Sequence, residues 1–152
     1  MSKLGRYSAD RKKIENVSAA KTIDVADCGT VFTISSGTAT AGNHSASFTM
    51  TLPSATDAGS GWWAKFIVRE ITGGDVTITS SAGDADSQNI AAVQFGENAT
   101  GDGNVTHYAA AGGLRFDLSA CKKGDALELI CDGTNFYGQV LASGSAAVVE
   151  GT

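Results

Sequence analysis

The stretch that decides the fold lies at residues 126–141 and reads ALELICDGTNFYGQVL. In its first half Leu127, Leu129 and Cys131 alternate around Glu128, and side chains two residues apart on a strand share a face. Residues 132–135, DGTN, follow as a turn, where glycine adopts positive φ and Asp and Asn tolerate it. A second run of strand residues extends to Leu141. The stretch predicts a β-hairpin with one face in a core.

The same period of two recurs along the 152-residue chain, with glycine-rich turns between the runs. Alternating runs lie at residues 48–52, 62–69, 76–78 and 114–118. About ten short strands at such spacing favour an antiparallel β-sandwich or jelly roll over alternating β and α units. Two short helical segments are also predicted, one within residues 13–20 and one after Pro53, where Ser54 is placed to cap a turn that ends at Ala58. The chain is therefore predicted to be a single all-β domain.

Charge is distributed unevenly. The chain carries a net charge of −5, yet residues 1–13 contain one acid, Asp10, and five basic residues, namely Lys3, Arg6, Arg11, Lys12 and Lys13. We expect residues 1–13 to form a flexible basic N-terminal arm and residues 14–152 to form the sandwich. The acidic remainder argues against direct nucleic-acid binding, because phosphate neutralisation requires an excess of Lys and Arg. No apolar stretch is long enough to predict a signal peptide or a membrane span.

Residues suited to catalysis or metal binding do not form a recognisable motif. His44 and His107 lack metal-ligand spacing, and the three cysteines fit neither a zinc nor a redox pattern, so free thiols are expected, with Cys131 buried. Asp84, Asp86, Asn89 and Asp102 carry oxygen ligands suited to calcium, but their spacing matches no complete calcium loop. The sequence predicts no enzyme activity, no cofactor and no metal. A glycan hydrolase whose carboxylates meet only in the fold stays open as an alternative.

Two adjacent tryptophans have different expected roles. Neighbouring residues on a strand face opposite sides, so one of Trp62 and Trp63 belongs to the core and the other faces outward. The outward ring either binds a partner, as an interface anchor or as a platform for a sugar, or packs beneath a loop. Trp63 and the five basic residues of the arm are assigned to partner binding.

Three segments, taken together, resemble a β domain of tailed-phage virion proteins. They are residues 26–32 (ADCGTVF), residues 52–55 (LPSA) with 58–62 (AGSGW), and residues 123–137, which contain KGD, LELI and DGTNFY. Their order and spacing match over roughly residues 21–142. The chain departs from that family where Phe136 stands in place of the more usual Trp before Tyr137, which leaves the fold expectation intact.

The resemblance implies a structural role in the virion. Similar domains occur in head decoration proteins, which sit on the capsid as trimers, and in tail fibres and spikes. The leading hypothesis is a capsid decoration, or cement, protein that is made in the host cytoplasm and binds the major capsid protein as a homotrimer. Apolar residues on the second face of some strands, such as Ile67 and Tyr137, also favour a trimer. The alternative is a receptor-binding or glycan-binding module of a tail fibre or spike.

Overall fold

The computed structural model describes residues 12–35, 47–70, 74–81, 90–97, 103–111, 113–117, 120–144 and 146–150. This part of the chain forms two β-sheets, and the buried side chains of both belong to one hydrophobic core. The prediction of an all-β, sandwich-like fold is confirmed. Residues 1–11, which include Lys3, Arg6 and Arg11 of the predicted arm, lie outside the described residues.

Seven strands form the larger sheet. They are β1 (Lys13–Val17), β3 (Thr30–Ser35), β5 (Ser60–Glu70), β7 (Ile90–Glu97), β8 (Gly103–Ala111), β10 (Ala126–Asp132) and β11 (Phe136–Leu141). Their order across the sheet is β1-β3-β5-β10-β11-β7-β8. The smaller sheet contains β2 (Lys21–Thr22), β4 (Phe48–Thr51), β6 (Asp75–Thr79), β9 (Gly113–Asp117) and β12 (Val148–Glu150), in the order β12-β9-β6-β4-β2.

Both sheets are mixed, so the prediction of antiparallel sheets is wrong. From β1 to β6 successive strands alternate between the two sheets, and β1, β3 and β5 therefore return to the larger sheet in the same direction. They pair in parallel, and β2, β4 and β6 do the same in the smaller sheet. The alternation of apolar residues does not reveal strand direction, since a half-buried strand has the same period in either pairing.

The hairpin at residues 126–141 is confirmed. Strands β10 and β11 pair antiparallel, with Leu129 opposite Gly138. In the turn, the Asp132 carboxylate accepts hydrogen bonds from the backbone N–H groups of Thr134 and Asn135, at 2.8 and 2.7 Å. Gly133 has a φ of 97°, which only glycine adopts without strain. The turn residues thus set the register of the strands that lie at the centre of the larger sheet.

The two predicted helical segments have different outcomes. The helix within residues 13–20 is wrong, because Lys13–Val17 forms strand β1 and pairs with β3. The segment after Pro53 is confirmed as helix α1 (Ala55–Ala58), with Ser54 as its N-cap. The Ser54 hydroxyl accepts a hydrogen bond of 3.1 Å from the Asp57 N–H, as expected for a serine at this position.

The core packs tightly against Gly138. This residue lies on β11 among the core-facing positions, and a Cβ atom added to it would stand 2.7 Å from Leu129 Cδ2 and 3.1 Å from the Glu128 carbonyl oxygen. Leu129 is fully buried, so its side chain moves only by disturbing its neighbours in the core. A side chain at Gly138 therefore requires either the Leu129 side chain or the two central strands to shift.

We expect Gly138→Ala to lower the free energy of unfolding by about 1–2 kcal/mol, as is typical of overpacked cores. Urea denaturation measures this change. Gly144→Ala is the matched control, since a Cβ there has no neighbour within 4 Å. Equal stability of the two variants would show that the Leu129 side chain adapts without cost.

The three thiols differ in exposure. Cys28 is exposed, whereas Cys121 and Cys131 are buried, so the prediction of a buried free thiol at Cys131 is confirmed. Burial, together with the charges of Asp125 and Asp117, raises the pKa of Cys121 to about 12. Because the thiolate is the reactive form, burial and a high pKa both suppress reaction.

Ellman's reagent is expected to label Cys28 rapidly in the native protein and to leave Cys121 and Cys131 unmodified until urea is added. Mass spectrometry of the labelled peptides checks this order. Cys28→Ser is the control, and it is expected to abolish the fast phase. Rapid native labelling at Cys131 would contradict the packing of strand β10.

Candidate functional site

The candidate site is the face of the seven-stranded sheet that points away from the core, here called the outer face. It consists of three rows of side chains that run across strands β5, β10, β11, β7 and β8. A first apolar row contains Ile67, Leu141, Phe95 and Val105. A middle row contains Lys65, Glu128, Gln139, Val93 and His107. A second apolar row contains Trp63, Ile130, Tyr137 and Ala91.

Large apolar side chains on this face are open to solvent. Phe95, Val105, Ile130, Tyr137 and Leu141 are between 46% and 59% exposed. They come from four strands and lie in the two apolar rows, so they form a patch rather than isolated contacts. Exposed apolar patches with polar neighbours mark sites of interaction.

The middle row supplies the polar groups of the outer face. Lys65 and Glu128 form an ion pair of 3.5 Å between β5 and β10. Gln139 lies next to Glu128 on β11, and His107 lies on β8 beyond Val93. The prediction that His107 is a surface residue is confirmed, since it is exposed. The row places one anion and one cation at the centre of an otherwise apolar surface.

Trp63 stands at one end of the second apolar row. It is half-buried, while the neighbouring Trp62 is 2% exposed and belongs to the core. The prediction that these two rings face opposite sides is confirmed. Gly29, at a φ of 80°, lies beneath the Trp63 indole and donates a backbone hydrogen bond of 2.8 Å to the Trp63 carbonyl. The Lys12 ammonium lies 5.2 Å from the centre of the ring, which is a cation–π distance.

A shallow groove of about 800 Å³ runs along the outer face. Trp63, Ile130 and Tyr137 line it together with Glu128 and Gln139, and Lys12 lies at its edge. Since neighbouring strands lie about 4.8 Å apart, Trp63 and Tyr137 stand roughly 10 Å from each other across Ile130. The groove therefore offers two aromatic rings, and its polar groups lie between these rings and the first apolar row.

A buried polar network supports the groove from below. The Tyr108 hydroxyl lies 2.5 Å from Gln94 Oε1 and 2.8 Å from the Val148 carbonyl oxygen, and Gln94 Nε2 donates to the Gly144 carbonyl at 3.2 Å. Both side chains are buried. The network connects β7 and β8 of the larger sheet to β12 of the smaller one, and so fixes the strands that carry Phe95 and Val105.

The basic residues assigned to partner binding occupy different surroundings. Lys12 contacts Trp63 at the groove. Lys13 lies on β1, and its ammonium is 2.6 Å from Asp27 Oδ1 and 4.0 Å from Glu15 Oε2. The structure thus brings Lys12 and Trp63 together and directs Lys13 towards acids of its own domain. Lys3, Arg6 and Arg11 lie outside the described residues.

Metal and membrane sites find no support in the described part of the chain. Among those residues, no group of three or more His, Cys, Asp and Glu side chains is arranged to hold a metal ion. Asp84, Asp86, Asn89 and Asp102, the calcium candidates, lie outside the described residues, as does His44. Of the described residues that line the groove, Glu128 is the one carboxylate. No helix in the described ranges has the length and apolar character needed to cross a membrane.

Several residues of the outer face were not found by the sequence interpretation. Phe95, Val105, Ile130 and Leu141 are as exposed as Tyr137, yet only Ile67 and Tyr137 were recognised as apolar residues on a second face. The available signal was the presence of apolar residues at both alternating positions of a strand, as with Leu129 and Ile130 on β10.

Comparison of the chain with protein-family models, with curated proteins and with solved structures finds no match.

Proposed function

We propose that this chain is a structural protein of a tailed-phage virion, which decorates the capsid by binding the major capsid protein as a homotrimer. The resemblance of residues 26–32, 52–62 and 123–137 to virion β domains supports the proposal. The proposal includes a jelly-roll-like fold for the sandwich and a flexible basic arm at its N-terminus. In this role the protein stabilises the head mechanically and has no catalytic residue.

The observation that carries the proposal is the contrast between the outer surfaces of the two sheets. On the smaller sheet, the positions that alternate with core residues are rich in threonine, namely Thr22, Thr49, Thr51, Thr77 and Thr79. On the larger sheet, the corresponding surface is the apolar outer face. A sheet with one solvated side is polar on that side. The outer face is therefore suited to be covered by protein.

Decoration strengthens a shell through several weak contacts. A packed genome presses outward on a capsid, and a protein that bridges neighbouring subunits adds buried surface between them. An exposed charge pair contributes only about 0–1 kcal/mol. A trimer that attaches through each of its subunits gains avidity, because the second and third contacts form at high effective concentration.

Deleting residues 1–11 is expected to leave the domain folded and to lower its occupancy on capsids, most strongly at low salt. The deletion removes Lys3, Arg6 and Arg11, and salt screens the contribution of these charges in the intact protein, since the Debye length falls from about 8–10 Å near physiological ionic strength to about 3 Å at 1 M. The deletion ends before Lys12 because Lys12 and Lys13 contact Trp63 and Asp27 within the domain. Quantitative gel analysis of purified particles, over a range of salt concentrations, measures the occupancy.

A matched control keeps the length of the arm and replaces Lys3, Arg6 and Arg11 with glutamine. It is expected to lose as much occupancy as the deletion, because the contribution of the arm is electrostatic. Full decoration by the truncated protein would show that the sandwich alone attaches to the shell. Cryo-EM of the intact particle tests the proposal as a whole, and density on the tail instead of the head would contradict it.

A glycan-binding module of a tail fibre or spike is the second candidate. The observation in its favour is the groove, where Trp63 and Tyr137 flank Ile130 close to Glu128 and Gln139. Aromatic faces and polar hydrogen-bonding groups together recognise sugars. Titration of host surface oligosaccharides, followed by tryptophan fluorescence, separates the two candidates: saturable binding that is lost in Trp63→Ala supports the tail module.

A further inference from the structure

We propose that the outer face of the seven-stranded sheet is covered by other copies of this chain. The inference rests on the proposed function, since it identifies the surface through which the subunits of the decorating oligomer associate. It assigns the apolar rows to contact between subunits and leaves the basic arm for the shell.

The composition of the outer face favours protein as its occupant. Ile130, Leu141 and Val105 are aliphatic and more than half exposed, and such side chains offer no stacking surface to a sugar or a base. Phe95 and Tyr137 add aromatic area in the same rows. Large apolar and aromatic residues are enriched at the centres of interfaces between proteins.

The charges of the face make it complementary to itself. Glu128 is 59% exposed and Lys65 is 31% exposed in their ion pair, so both signs are presented at the centre of the patch. In a ring of copies, Lys65 of one copy can meet Glu128 of the next, so that each contact uses one residue of each sign. A partner of one charge sign would meet repulsion from one of the two residues.

The size of the face suits a modest interface repeated around an oligomer. Five strands about 4.8 Å apart and five residues of about 3.3 Å each give a flat patch of roughly 400 Å². A closed trimer covers three such patches, about 1,200 Å² of flat area in total or about 400 Å² for each of its three contacts, and pleating and side chains increase these areas. Each contact is weak alone, and closure of a ring adds further contacts.

The arrangement in rows fits a closed trimer. Each subunit of such a ring has two neighbours and needs a contact surface for each of them. The outer face offers two apolar rows, one with Ile130 and Tyr137 and the other with Leu141 and Phe95, separated by the polar middle row. One row is therefore available to each neighbour.

Lysine substitutions on the full-length chain test this inference. Ile130→Lys alters one apolar row and Leu141→Lys alters the other, while Thr49→Lys adds the same charge to the exposed threonine face of the smaller sheet. Sedimentation velocity between about 1 and 100 μM covers the range of weak interfaces. Circular dichroism confirms that each variant is folded, which we expect because the two outer-face side chains already contact solvent.

We expect the wild-type chain and Thr49→Lys to form oligomers. For each outer-face variant, we expect the dissociation constant of the oligomer to be at least about 10-fold higher. A dimer supports the covered face and contradicts the trimer of the proposed function. A wild-type chain that is monomeric throughout the range, or outer-face variants that associate as strongly as the wild type, would overturn the inference.

A capsid-binding measurement on the same variants separates this inference from the proposed function. If Ile130→Lys remains oligomeric but no longer binds capsids, the face meets the shell and the inference is overturned, while the decorating role stands. If the wild type forms oligomers through this face but binds no capsid, the inference stands and the decorating role fails.

Discussion

Replacement of Trp62 with alanine is expected to lower the free energy of unfolding by about 3–5 kcal/mol, the cost typical of removing a buried aromatic side chain. Trp62 is 2% exposed and is among the largest of the fully buried side chains. Its ring packs edge-on against Phe136, with the ring centres 5.7 Å apart and the planes at 82°. The contact joins β5 to β11, and its loss leaves a cavity at the centre of the larger sheet.

Trp62→Phe separates packing from hydrogen bonding. The indole Nε1 of Trp62 is buried and has no hydrogen-bond partner among the described residues, so phenylalanine loses volume but no hydrogen bond. We expect a cost of no more than about 2 kcal/mol. Equilibrium urea denaturation measures both variants. A loss well above about 2 kcal/mol for phenylalanine would show that Nε1 has a partner, such as a buried water.

Trp63→Ala is the matched control on the neighbouring residue. Trp63 is half-buried and contacts Gly29 and Lys12 on the surface side of the sheet. Its removal is expected to cost about 1 kcal/mol or less while weakening partner binding. We therefore expect Trp62 to serve stability and Trp63 to serve recognition, and a Trp63→Ala variant as unstable as Trp62→Ala would contradict this expectation.

Local chemistry was the part of the fold that the sequence made predictable. The DGTN turn, the Ser54 cap and the opposite faces of Trp62 and Trp63 each depend on a few neighbouring residues, and the structure confirms them. The pairing of distant strands was not predictable in the same way. Alternation predicts that Phe32 and Phe66 lie in a core, but it does not predict that β3 and β5 pair in parallel. This pairing stacks the two rings with their centres 5.4 Å apart.

The candidate site was predictable only in part for the same reason. Trp63 was recognised because its neighbour is also a tryptophan. The outer face depends on strand order, since Ile130 and Tyr137 join Trp63 only after β10 and β11 pair with β5 in register. Lys13 was assigned to the arm from its neighbours in sequence, whereas its acidic partner Asp27 is 14 residues away.

Asp27→Asn is expected to lower the free energy of unfolding at neutral pH by about 2–3 kcal/mol, because hydrogen bonds to a charged group are among the stronger ones in proteins. Asp27 is 8% exposed. Its carboxylate accepts hydrogen bonds from Lys13 Nζ at 2.6 Å and from the Asp24 N–H at 3.1 Å, and Lys21 Nζ lies 3.6 Å away. These contacts tie strands β1 and β2, from different sheets, to the 3-10 turn at Val25–Asp27.

Asp132→Asn is the control for loss of a carboxylate. Asp132 is exposed, and its side chain accepts hydrogen bonds from the backbone N–H groups of Thr134 and Asn135. An amide oxygen accepts the same bonds, so the stability of this variant at neutral pH is expected to stay close to that of the wild type. Thermal or urea unfolding of both variants at pH 7 gives the comparison. If the two variants are equally stable, the ion pairs of Asp27 behave like exposed ones and contribute little.

The pH dependence of the Asp27→Asn effect follows from the direction of the pKa shifts. Burial raises the pKa of Asp27, but the hydrogen bonds from Lys13 and Asp24 and the charge of Lys21 outweigh it and hold the pKa below its ordinary value of 3.8. The unfolded chain therefore takes up this proton first as the pH falls, so the stability contributed by the carboxylate is complete above the unfolded pKa and is lost as the pH falls through the lower folded pKa.

On the alkaline side, the hydrogen bond to Glu15 and the charges of Asp27 and Glu15 raise the pKa of Lys21 above 10.5 despite its desolvation. Its contribution is complete below that value and is lost as the pH rises through the folded pKa. The stability difference between wild type and Asp27→Asn should thus be constant across the neutral range and shrink in acid below the unfolded pKa of Asp27; a difference that instead grew in acid would require the folded pKa of Asp27 to be raised.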